Sequence, residues 1–251
     1  MNIIGKLWRR SCCVAWRIQT RVYFTALGLL RRLPAPQPDS VPSSGNAIYL
    51  TFDDGPSGFT EQLLEVLERY NVKATFFVTN NIRYLDILPQ ISMAGHTIGN
   101  HSANHNYMEL YAGEASFLDA LGQMEKIVLE KTGSRTSLFR FPGGSASIDC
   151  HVPQKGMAHR LTALVQDHGY RYFDWDLDSR DTAEAKTPGA VYRNVISGVR
   201  GRTKTVVLQH DIKKYSVDAV EAIIVWGLKN GYIFLPLDAD SPVVHHKIRK
   251  T

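Results

Sequence analysis

The sequence predicts a parallel α/β fold, a (β/α) barrel. Three observations lead there. Short apolar runs rich in Val, Phe, Tyr and Thr alternate with helix-spaced stretches from residue 47 to residue 235. Polar clusters recur just past the ends of those runs, where folds of this kind gather their chemistry. The 251 residues, 44% of them hydrophobic, suffice for one barrel-sized core.

The elements follow in order. Residues 47–52, "AIYLTF", are a continuous apolar run ended by Asp53, Asp54, Gly55 and Pro56, and predict the first strand. Residues 60–70 carry Leu63, Leu64 and Leu67 at helical spacing, with Thr60 and Glu61 suited to a helix start. Residues 74–78 alternate Thr and Phe and predict a strand. A helix over 85–93 stops at Gly95, and a short strand follows at 96–99. Residues 114–131 form a long amphipathic helix ended by Gly133. A strand at 138–141, a helix at 158–168 stopped by Gly169, and a strand at 170–175 come next. The pattern closes with a helix at 189–199, a strand at 205–209, a helix at 217–228 and a last strand at 232–235.

Four segments result: an arm at 1–34, a linker at 35–46, a catalytic domain at 47–237 and a tail at 238–251. The stretch "LPAPQPDSVPSSGN", rich in Pro, Ser and Gly, marks the linker. The formal charge of +5 is concentrated in the arm, which holds seven Lys or Arg and no Asp or Glu. Residues 1–44 carry +6, so the remainder stands at −1, the difference between the two. The basic pI therefore belongs to the arm, and no nucleic-acid partner is expected. Basic residues interleaved with Trp8, Trp16, Tyr23 and Phe24 suit an anionic membrane surface. The longest uncharged stretch there, residues 22–30, is too short to span a bilayer, which takes about 20 apolar residues. It also makes a poor export signal. Cys12 and Cys13 are adjacent and Cys150 stands alone, so three free thiols are expected rather than a disulfide framework.

Five polar clusters stand at five strand ends: Asp53 with Asp54; His101 with His105; Arg140 before Pro142, Gly143 and Gly144; Asp176, Asp178 and Asp181; and His210 with Asp211. Singly, each reads as a turn or a surface group. Together they describe a site. Two imidazoles and one carboxylate make a three-ligand metal set that leaves positions open for water and substrate. His101 and His105 are four apart, so one helical turn or a tight loop can aim both at one metal. One aspartate of the 53–54 pair can complete the set and the other can remain free as a base. The cation then offsets repulsion between the paired carboxylates. His210 can protonate a leaving group. Metal, base and acid together describe hydrolysis of an acyl bond.

"TFDDGP", "HSANH", "RFPGG", "DSRDT" and "LQHD" occur in the order of the polysaccharide deacetylases, carbohydrate esterase family 4, with the NodB homology domain. The resemblance spans roughly residues 47–237. "LFRFPGGS" with "GYRYFDWDLDS" looks most like the peptidoglycan N-acetylglucosamine deacetylase branch. The resemblance implies a distorted (β/α) barrel of the NodB homology type. It implies that Asp53 is the general base, and that Asp54, His101 and His105 hold a divalent metal, zinc in most members. It implies that the Gly143 N–H stabilises the oxyanion, that Arg140 pairs with Asp181 and helps orient Asp53, that Leu208 lines the acetyl pocket, and that His210 protonates the amine. The implied activity is removal of N-acetyl groups from N-acetylglucosamine units of a cell-envelope polysaccharide, peptidoglycan first. A monomer is expected, at the extracellular face of the cell envelope, membrane-associated or secreted. The sequence departs from the family twice: Thr182 stands where Trp is frequent, and Gly143 where Tyr is usual. Both bear on substrate fit. The alternatives are a deacetylase of chitin oligomers or an exopolysaccharide, a silent glycan-binding domain, and an Fe(II) oxygenase, whose two-His-one-carboxylate site needs neither Asp53 nor His210.

Overall fold

A computed structural model of the protein describes residues 45–151 and 154–248. The arm, and the linker up to residue 44, lie outside them. Strand β1, Asn46–Asp53, organises the sheet. Its period of two turns Ile48, Leu50 and Phe52 toward the helices and Ala47 and Tyr49 toward the barrel interior, where Phe77, Phe173 and Val206 meet them. By the same alternation Thr51 and Asp53 face inward. The strand that builds the core therefore also carries a carboxylate to the mouth of the barrel.

On one edge β1 pairs in parallel with β7, Lys204–His210, from Ala47 opposite Lys204 to Asp53 opposite His210. The other edge is shared. β8, Tyr232–Phe234, takes residues 46–48, and β2, Thr75–Val78, takes residues 51–53. Beyond β2 come β3, Thr97–Asn100, then β4, Leu138–Phe139, and β5, Arg171–Tyr172. β6, Leu177–Asp178, pairs with β7. Every pairing is parallel. The stretch 171–178 thus starts against β4 and ends against β7, which curls the sheet into the expected distorted barrel.

The strand expected at 170–175 is therefore cut short to Arg171–Tyr172, and a second short strand, Leu177–Asp178, forms beyond it. The Asp174 N–H donates to Val244 O at 2.8 Å instead of continuing along β4, and Asp176 N has already turned to Val206 O, 3.0 Å away. That contact comes from the expected tail. Residues 244–246 pack on the barrel, with the His246 N–H donating to Asp174 Oδ2 at 2.7 Å and the His245 ring stacked 3.7 Å from Tyr172. The segment is too short and polar for periodicity to reveal it.

The helices are α1, Thr60–Arg69; α2, Leu88–Met93; α3, Tyr107–Leu110; α4, Glu114–Thr132; α5, Ile148–His151; α6, Met157–Asp167; α7, Pro188–Val199; and α8, Lys214–Lys229. The expected helix at 85–93 opens as a 3₁₀ turn, Leu85–Ile87, ahead of Pro89. α8 buries Val217, Val220, Ile223 and Ile224. Each fully buried apolar side chain contributes about 1.5–3 kcal/mol. That burial, rather than the weak helix propensity of Val and Ile, holds the helix. No helix among the described residues is long and apolar enough to cross a membrane.

Candidate active site

Five loops deliver the site. Asp53 ends β1 and Asp54 follows in the left-handed region at φ 69°. A non-glycine residue rarely holds that conformation without enforcement from its surroundings. Here the enforcement is visible. Thr79 Oγ1 donates to Asp54 O at 3.0 Å, Thr79 N–H to Gly55 O at 2.7 Å, and Asn81 Nδ2 to Pro56 O at 3.0 Å. On the far side Asp211, fully buried, accepts from Thr60 Oγ1 at 2.5 Å, while its carbonyl accepts from Ser57 Oγ at 2.8 Å. Burial and the repulsion of Asp54 and Asp53 push the Asp211 pKa up to about 7, against the Thr60 hydrogen bond and the attraction of His210. A Cβ on Gly55 would stand 2.4 Å from both Asp211 carboxylate oxygens, so only glycine fits. Gly55→Ala is expected to cost about 1–3 kcal/mol in urea unfolding, as overpacked cores do. It should also weaken metal retention, because Asp54 is the preceding residue.

The loop after β3 carries His101 and His105. It is tight rather than helical, since α3 begins only at Tyr107. Asn100 Oδ1 accepts the Ser102 N–H at 2.8 Å, and Ser102 takes a φ of 71°. Asn104 and Asn106 both donate to Glu109, at 2.9 and 2.8 Å. His101 Nδ1 is bound to Arg140 O at 2.8 Å, which turns its Nε2 toward Asp54.

Asp54, His101 and His105 bring one donor atom each within 4.8 Å of one another. Asp54 Oδ1 is buried without a hydrogen-bond partner, 3.5 Å from His101 Nε2 and 3.1 Å from His105 Nε2. An orphaned carboxylate oxygen facing two imidazole nitrogens fits a divalent cation. Burial alone would raise the Asp54 pKa, but the His101 and His105 imidazoles facing it hold it well below the ordinary carboxylate range. The same carboxylate raises His105 against its own burial.

Arg140 follows β4 and is fully buried. Its Nη1 donates to Asp53 Oδ1 at 2.8 Å and to Thr51 Oγ1 at 2.6 Å. Its Nε and Nη2 donate to the carbonyls of Phe173 and Asp174 at 3.0 and 2.9 Å, and Cζ lies 4.1 Å from the Phe77 ring centroid. The expected pairing of Arg140 with Asp181 is corrected: Arg140 orients Asp53 directly. Asp181, also fully buried, holds His210 instead, with Oδ1 2.8 Å from Nδ1 and Oδ2 accepting the His210 N–H at 2.7 Å. The barrel separates the two pairs, because Arg140 points inward from β4 while Asp181 follows β6.

His210 stands opposite Asp53 in the register of β1 and β7, and its Nε2 lies 4.0 Å from Asp54 Oδ2. Burial would lower its pKa, but the Asp181 carboxylate, with Asp53 and Asp54 beyond, raises it to about 9. A raised imidazole pKa adds stability that is complete below about 6.5 and is lost as pH rises through 9. A group that must donate a proton loses activity in the same direction. Asp181→Asn is expected to move the alkaline limb of the pH–rate profile down by about one to two units. An unmoved limb would remove His210 from the titration.

Leu208 faces inward two residues before His210 and is buried. Gly143 lies in the turn after Arg140 at φ 76°. Thr182 is exposed. Asp176 and Asp178 do not reach the site. Asp176 Oδ2 accepts the Val206 N–H at 2.9 Å and Asp178 Oδ1 accepts the Arg180 N–H at 2.7 Å. Tyr170 and Tyr172 are core residues. Sequence reasoning missed Thr51, although alternation with Asp53 announces it. It also missed Asp174, fully buried, which accepts from Ser145 N and Oγ at 2.8 and 2.5 Å and so ties down the Gly143 turn. A cleft of about 430 Å³, lined by Thr79, Asn80, Asn81 and Ile212, opens beside Asp54 and His105.

A family model for polysaccharide deacetylase matches residues 40–173. The peptidoglycan-N-acetylglucosamine deacetylase of Bacillus cereus is 32% identical over 193 residues, 74% of this chain and 67% of that protein. The solved catalytic domain of peptidoglycan N-acetylglucosamine deacetylase from Eubacterium rectale is similar at a TM-score of 0.79 and 45% identity, covering 86% of this chain and 100% of that one. A solved polysaccharide deacetylase from Bacillus cereus is similar at a TM-score of 0.69 and 29% identity, covering 79% and 96%.

Proposed function

Because the chain belongs to the polysaccharide deacetylase family, we propose that it removes N-acetyl groups from N-acetylglucosamine units of peptidoglycan and does so with a divalent metal, zinc first. The observation that carries the reading is the placement of Asp53 and His210, neighbours in the register of β1 and β7, against the Asp54–His101–His105 set: Asp53 Oδ2 lies 3.7 Å from His101 Nε2 and His210 Nε2 lies 4.0 Å from Asp54 Oδ2.

Asp54, His101 and His105 would hold the cation, which supplies Lewis acidity and a more acidic water. Asp53, oriented by Arg140, whose guanidinium is in turn held by Thr51, takes the proton of the attacking water. The Gly143 N–H donates to the carbonyl oxygen as charge develops there. His210, charged and steadied by Asp181, gives its Nε2 proton to the departing amine nitrogen. Water thus adds its hydroxyl to the acetyl carbon, the carbon–nitrogen bond breaks, and acetate and a glucosamine unit leave. Leu208 gives the acetyl methyl an apolar wall. The basic arm at 1–34 supports work at an anionic membrane surface.

Peptidoglycan and N-acetylglucosamine oligomers, offered separately to the full chain with zinc, test the substrate through the rate of acetate release. The reading expects faster release from peptidoglycan. Release from the oligomers alone would reassign the glycan.

A further inference from the structure

We infer that Tyr107 is a substrate-contacting residue, presenting its ring and hydroxyl to the N-acetylhexosamine unit whose amide is cut. The inference rests on the deacetylase reading above and adds a contact that reading does not use.

The first observation is the space over Gly143. A Cβ on that residue would stand 3.1 Å from Tyr107 Oη and 3.2 Å from its Cζ. The phenol at the first residue of α3 therefore fills the volume that a side chain on the turn at Gly143 would take. The second is its company. The Tyr107 ring centroid is 5.2 Å from that of His105 and 4.3 Å from that of His151. Tyr107 thus adjoins an imidazole of the metal set on one side and the His151 ring on another, and the apolar C–H face of a pyranose packs well on such rings.

The third is a contrast with Tyr111, one helical turn on. Tyr111 is fully buried and donates to Pro142 O at 2.7 Å, so it is a packing residue with its polar end satisfied. Tyr107 stacks on it at 6.2 Å, is only half-buried, and its hydroxyl makes no hydrogen bond among the described residues. Ser147 Oγ, its polar neighbour over Gly143, already donates to the carbonyls of that turn. A phenol in this state is a donor free for a sugar hydroxyl or acetamido oxygen. Its position is also fixed in advance. Asn106 caps α3 by accepting the Met108 N–H at 3.2 Å, and the Asn104–Glu109–Asn106 bonds stitch the loop that holds both histidine ligands. A sugar seated on Tyr107 is therefore registered against those ligands.

The test measures binding of an N-acetylglucosamine tetramer by calorimetry, with zinc present, in the full chain carrying Asp53→Asn to slow turnover. Tyr107→Phe, isosteric and safe for the fold, should weaken binding about fivefold, as loss of one hydrogen bond does. Tyr107→Ala should weaken it about fiftyfold through loss of the ring as well. Zinc content should stay at the parent's value in both. Tetramer affinity unchanged in Tyr107→Phe and Tyr107→Ala overturns the inference, and so does a parent that binds no tetramer. A wild-type chain that binds the tetramer with the expected Tyr107 dependence yet releases no acetate would sink the deacetylase reading and leave Tyr107 as a sugar contact.

Discussion

Asp53→Asn is expected to keep its metal and lose about a thousandfold in kcat. The estimate follows from the ordinary contribution of a general base, about 10²–10⁴. The substitution is close to isosteric, and Asn still offers an oxygen to Arg140 through the position now held by Oδ1. The metal set is a separate group of atoms on Asp54, His101 and His105. Acetate release and metal content, measured on the same preparation, check the two halves. Turnover within tenfold of the parent would remove Asp53 as the base. Parallel loss of metal would show that Asp53 belongs to the ligand set.

Arg140→Met is expected to cost about 3–5 kcal/mol in stability, because it leaves Asp53 buried without its counter-charge. Arg140 and Asp53 are both buried, and every other Arg140 contact is to a neutral group. The methionine stem keeps the packing on Phe77. Urea unfolding should be followed with chelator present in all samples, so that metal binding does not add to one side. The midpoint should fall with the slope unchanged. The double variant Asp53→Asn with Arg140→Met should recover part of the loss, because the uncompensated charge is gone. Equal loss in the single and double variants would mean that Arg140 acts through packing alone.

The fold was legible where burial and period agree. The run at 47–52 is buried on both faces, and the observed strand extends it by one residue at each end. Gly133 stops α4 in the left-handed conformation that its lack of a Cβ allows. The bent stretch 171–178 was not legible, because its break depends on Val244, about 70 residues on, competing for the Asp174 N–H. The site was legible in composition and less so in pairing. Asp54, His101 and His105 could be grouped because two imidazoles and a carboxylate announce a candidate metal set by type. Which carboxylate faces Arg140 and which faces His210 is decided by the strand from which each projects, and no spacing encodes that. Tyr107 was silent because an aromatic after "HSANH" reads as core until Gly143 is seen beneath it.

The central claim is hydrolysis of an N-acetyl group that needs both the metal set and the groups around it. The most direct measurement is acetate released from peptidoglycan by the full chain, before chelation, after chelation, and after zinc is restored. His101→Ala serves as a parallel sample. The account predicts release that stops on chelation and returns with zinc in the wild-type chain, and none at any stage in His101→Ala. Release that survives chelation, or that persists in His101→Ala, would contradict it.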